Sequence, residues 1–119
     1  MDKDTLKQHC LKVIESFTDQ GHSVELAGIV PLYPQLPTTS YVLQVFSTWL
    51  NQMPTCNAAT NMVIARLYEL MPREALRYIN RVEICDENGE IHCMSDDLII
   101  NDLNFQPLSI PYNYAEDNA

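Results

Sequence analysis

The chain has 119 residues, seven basic against sixteen acidic, and a formal net charge of −9. That length suits one domain with a sizeable core, and 46% hydrophobic residues exclude a disordered chain. No apolar run reaches membrane-spanning length, and the acidity works against nucleic acid or an anionic membrane as partners.

The N-terminal "MDKDTLKQHC" is charged throughout and lacks the apolar core of a secretory leader, so a cytoplasmic protein is expected. Leu6, Cys10, Val13, Ile14 and Phe17 recur at three-and-four spacing and predict a helix over 5–20, capped by Asp4 and stopped by Gly21. In "HSVELAGIV" Val24 and Leu26 alternate with Ser23 and Glu25, which suggests a short strand weakened by Gly28. Pro31, Pro34 and Pro37 then recur every third residue, the period of polyproline II. Ligands of that kind carry a flanking cation, which is missing here, so a stiff internal connector is expected.

Val42, Val45, Phe46, Trp49, Leu50 and Met53 fit a helical stripe, capped by Thr38, Thr39 or Ser40 and ended by Pro54. A third helix opens at Thr55 or Asn57 with Ala59, Val63, Leu67, Leu70 and Met71 on one side, antiparallel to the second. Pro72 begins a fourth helix, about 72–80. If that helix runs on, Arg73, Arg77 and Arg81 line one edge.

The stretch "EICDENGEIHCMSDD", 83–97, holds two cysteines, a histidine and six carboxylates without a basic residue. Val82, Ile84, Ile91 and Cys93 alternate with polar residues around Asn88-Gly89, a strong hairpin signal. A two- or four-residue loop puts those four apolar residues on one face, whereas a three-residue loop would split them and is rejected. Cys85 and Cys93 then point to opposite faces and cannot bond to each other. Beyond Asp97, "LII" reads as another strand, and 103–119 as an extended edge strand or arm with a frayed acidic tail. The expected fold is one α+β domain over 1–119, with about four helices and a small antiparallel sheet that includes the C-terminal hairpin.

No metal, cofactor or catalytic residue is assigned. Four cysteines and three histidines show no ligand spacing of a zinc site. A calcium loop aligned on Gly89 would put Ile84 and Ser95 at its end ligand positions, where neither can serve. No nucleotide-binding glycine loop or nucleophile motif occurs. Irregular spacing and the missing leader favour four reduced thiols, with Cys10 and Cys56 as small buried hydrophobes.

Two charge distributions stand out. Residues 1–82 are balanced, so all the excess acid lies in 83–119; conversely, 26–65 contain no Asp, Glu, Lys, Arg or His. The first points to a non-enzymatic module that holds a basic protein partner through Glu83, Asp86, Glu87, Glu90, Asp96, Asp97 and Asp102, as acidic inhibitors, immunity proteins or chaperones do. The second suggests a homodimer joined through the uncharged helices 40–65, with Tyr41 and Trp49 at the self-interface. A small enzyme using Cys85 or His92 is the third reading.

Overall fold

Residues 1–35 and 40–98 are described by the computed structural model. Helix α1, Lys3–Asp19, buries Leu6, Cys10, Val13 and Phe17, the face that the sequence spacing marks. Its cap is Asp2 rather than Asp4: the Asp2 carboxylate accepts from Thr5 N at 2.8 Å, satisfying a first-turn donor. Gly21 ends the helix at φ 84°, while Gly21 N donates to Thr18 O and His22 N to Phe17 O. Those two bonds need a left-handed residue at this point, which glycine supplies without strain.

Strands β1 (Leu26–Pro31), β2 (Tyr41–Phe46), β3 (Ile79–Cys85) and β4 (Ile91–Met94) form one sheet in the order β1-β2-β3-β4. The outer pairs are antiparallel and β2–β3 is parallel, so this α+β fold has a mixed sheet rather than a purely antiparallel one. Parallel neighbours need a helical crossover, and the chain between β2 and β3 supplies it. The expected helix from Val42 to Met53 is instead β2 followed by a single turn, α2 (Thr48–Asn51), capped by the Ser47 hydroxyl. The reason is burial on both faces. Val42, Leu43 and Val45 are all buried in the sheet interior, so both faces of β2 carry apolar residues and, Gln44 apart, the strand reads as an apolar run that also satisfies a helical period.

Helix α3, Cys56–Leu70, is capped by Thr55 as expected and buries Ala59, Thr60, Val63 and Leu67, whereas Leu70 is exposed. Because α2 is one turn long, the predicted pair of antiparallel helices is absent. Helix α4 covers only Arg73–Leu76, with Pro72 as its cap. The chain is in β3 by Ile79, so Arg81 lies on a strand and the three-arginine edge does not form. The proline-rich segment connects β1 to β2; Pro37 falls outside the described residues.

Core residues of the four helices pack against Ile29, Leu43, Val45, Ile79, Val82, Ile84 and Cys93, all on one face of the sheet. Residues alternating with these, namely Leu26, Gly28, Val30, Val42, Gln44, Phe46, Arg81, Glu83, Cys85, Ile91 and Met94, project from the opposite face.

The hairpin departs from the expected register. Asp86 N donates to Glu90 O at 2.8 Å, leaving a three-residue loop, Glu87 to Gly89, with Gly89 at φ 81°. Cys85 pairs with Ile91 but Ile84 with Cys93, so a β-bulge at His92 absorbs one residue. The bulge returns Cys93 to the core and leaves Ile91 half exposed on the other face. Cys85 and Cys93 do face opposite sides, yet the four thiols are not all reduced. Cys56 and Cys93 form a disulfide with a Cα–Cα distance of 5.4 Å, tying the start of α3 to β4. Cys56 is thus an exposed bridge end and not a buried hydrophobe, while Cys10 and Cys85 are free and buried.

Candidate functional site

The seven carboxylates chosen from sequence do not form one surface. Glu83 projects from the centre of the sheet and is only 3% exposed. Arg81 donates to its Oε2 through Nε at 3.0 Å and Nη2 at 2.9 Å, and Gln44 Nε2 donates to its Oε1 at 3.0 Å. Both oxygens are therefore hydrogen-bonded within the chain and the charge is paired with Arg81, so Glu83 offers no contact to a partner. Alternation places it correctly opposite the core, but neighbouring strands cover it there.

Asp86 is half-buried and serves the turn: its Oδ1 accepts from Asn88 N at 2.8 Å and Glu90 N at 3.0 Å. Glu87 and Glu90 project from the turn into solvent, and among the described residues neither makes an ion pair. Asp96 and Asp97 are also exposed, but beyond the far end of β4. Asp96 lies six positions beyond Glu90, roughly 20 Å at strand rise. There the two aspartates border a hollow of about 310 Å³ with Asn57, Asn61 and Tyr68 of α3. Asp102 lies outside the described residues. Two separate acidic regions result, one at each end of β4.

The hairpin turn adjoins an apolar surface that sequence reasoning did not single out. On the open face Leu26 is 70% exposed, Ile91 50% and Met94 52%, with Val30 and Phe46 partly so. Leu26, Gly28, Val30, Gln44, Phe46 and Cys85 floor a hollow of about 290 Å³ whose rim carries Asp86 and Glu87. A larger hollow of about 650 Å³ lies on the other side of β1, between that strand and α1, over Leu11, Ile14, Val24 and Ile29. The available signal was β1 itself: Leu26 and Val30 lie on the face opposite Ile29, so both sides of the strand are apolar.

Burial raises the Cys85 thiol above its ordinary value, and the nearby carboxylates of Glu83 and Asp86 push it the same way, which opposes a thiolate nucleophile. Burial alone raises Cys10 to about 11. His92 is exposed at the bulge. Among the described residues no group of three His, Cys, Asp or Glu side chains could hold a metal ion. Tyr41 and Trp49 are half-buried against the chain's own core, Trp49 stacking on His22 at 4.0 Å and meeting Phe17 at 5.7 Å. No described helix is long and apolar enough to cross a membrane. No family model, no curated protein and no solved structure matches the chain.

Proposed function

We propose that this chain is a non-enzymatic binding module that holds a basic protein partner on the open face of its sheet, at the end bounded by the acidic turn. The observation that carries the reading is the adjacency of two kinds of surface. Glu87 stands exposed at the rim of the hollow floored by Leu26 and Phe46, and Glu90 stands exposed next to Ile91 at the start of β4. An apolar patch rimmed by charge of one sign suits a partner with apolar anchors among basic residues, because burial supplies affinity and charge supplies steering. Glu83 drops out of the contact set, and Asp96 and Asp97 form a second, separate acidic region.

The test is native mass spectrometry of untagged protein isolated from its own host at low salt, repeated with rising salt and with a Glu87→Gln, Glu90→Gln variant. A complex with a basic polypeptide, lost at high salt and weakened in the variant, is expected. A complex indifferent to both would overturn the reading. The Cys56–Cys93 bond bears on location: such bonds persist in oxidising compartments, which favours a site of action outside the reducing cytosol. Alkylating the protein within its host before extraction distinguishes the two, since a cytosolic pool would carry both thiols labelled.

A further inference from the structure

Strand β1 is one edge of the sheet. Leu32 N donates to Ser40 O at 3.0 Å, and in an antiparallel ladder every second pair repeats that bonding. Val30–Val42, Gly28–Gln44 and Leu26–Phe46 are therefore the hydrogen-bonded pairs. Ala27 and Ile29 aim their N–H and C=O groups away from β2, and no described strand lies beyond them. Natural sheets blunt such edges with charges, prolines, bulges or short length. β4, the opposite edge, is four residues long and bulged at its pairing with β3. β1 has six residues, no charge and no irregularity in its register, and its one proline, Pro31, stands at its end, leaving the outward N–H groups of Ala27 and Ile29 in place.

Each face of this edge carries one of the two hollows. A strand laid along β1 would place the side chain beside Ala27 or Ile29 into the space over Leu11 and Ile14. The side chain beside Gly28 would enter the hollow bounded by Phe46, Asp86 and Glu87. Nothing lies within 4 Å of where a Gly28 side chain would stand, so that second space is open. Together the two linings hold four carboxylates, Asp4, Glu25, Asp86 and Glu87, against one cation, Lys7.

We propose that β1 accepts an extended segment of the basic partner as a fifth strand, with apolar side chains on the α1 side and Lys or Arg toward Asp86 and Glu87. This rests on the proposed function and specifies how the partner binds. Main-chain bonds supply affinity and the alternating hollows supply selectivity. A second copy of the chain suits the edge poorly. Its own β1, "LAGIVP", has no cation to offer and would bring four more carboxylates to the same place.

The experiment measures amide hydrogen exchange of the whole chain with a blocked nine-residue peptide of alternating Val and Lys. A matched peptide, N-methylated along one edge, keeps charge and apolarity but loses the donors. The unmodified peptide should slow exchange at Ala27 and Ile29 at least about tenfold while leaving β4 unchanged, and should bind at least about tenfold more tightly than the methylated one. The Ala27→Pro variant, which removes an N–H that the fold does not use, should lose the difference. If both peptides bind equally, the basic-partner reading stands and strand addition is overturned. If neither binds, both fail. Protection of Ala27 and Ile29 without peptide, in a protein of dimer mass, would overturn the proposal in favour of a second copy.

Discussion

Replacing Cys56 with Ser separates α3 from β4 at little cost in packing, because Cys56 is exposed whereas Cys93 is buried. The bridge closes a loop with a sequence separation of 37. Loop-closure entropy for that length, released to the unfolded chain once the bond is gone, corresponds to about 4 kcal/mol. For a domain of this size the melting temperature should fall by roughly 10–20 °C. Urea unfolding of the wild type and of Cys56→Ser, both followed by circular dichroism, gives the difference directly. Adding reductant should bring the wild type to the variant's curve and leave the variant unmoved. Two results would refute the reasoning: a loss below about 1 kcal/mol, or four alkylatable thiols in unreduced, unfolded protein where Cys10 and Cys85 alone should react.

Glu83→Ala leaves Arg81 without its carboxylate in a largely covered site and should cost about 2–4 kcal/mol, with the Glu83→Leu, Arg81→Met double variant recovering much of it in a denaturation cycle. Gly21→Ala should lose about 1 kcal/mol of unfolding free energy from backbone conformation alone, since nothing lies near the added methyl group. The Thr48 hydroxyl and N–H bound to Glu25 hold its carboxyl below the ordinary glutamate value. The stability this contributes is present above that value and lost as pH falls through the lower folded one. Melting curves against pH should therefore show Glu25→Gln less stable than wild type near neutrality, the gap closing in acid. At pH 8, Cys10 and Cys85 should resist iodoacetamide until urea unfolds the chain, because burial holds both thiols up.

How much of this was legible follows from which interactions are local. Helix α1 and its glycine stop rest on bonds no longer than five residues, and the sequence pattern marks the right face, missing only the cap by two positions. The hairpin was legible as a hairpin, since Asn88-Gly89 is local. Its register was not, because the bulge at His92 satisfies Cys93, whose place in the core and bond to Cys56 depend on a helix 37 residues away. β2 was misread because a central strand buried on both faces carries no alternation to distinguish it from a helix. Glu83 was misassigned for a related reason: alternation reports the face a side chain takes, and not whether adjacent strands cover that face.

The uncharged stretch 26–65 now divides into parts with different causes. In β2 and α2, burial accounts for it: Val42, Leu43, Val45, Ser47 and Leu50 sit where a charge would need a partner. In α3 the exposed positions Asn57 and Asn61 carry amides instead of charges, beside the hollow that Asp96 and Asp97 border. Neither explanation reaches β1. Leu26, Ala27, Gly28 and Val30 are exposed, so burial does not forbid charge there, and a single lysine would have protected the edge. Only Ile29 of its first five residues has a buried side chain to explain its apolar character. An edge left apolar, with only Pro31 at its end to blunt it, on a chain with sixteen acids is hard to account for by solubility. It is accounted for if the edge is covered when the protein is at work, and the carboxylates around it set the sign of the charge on whatever covers it.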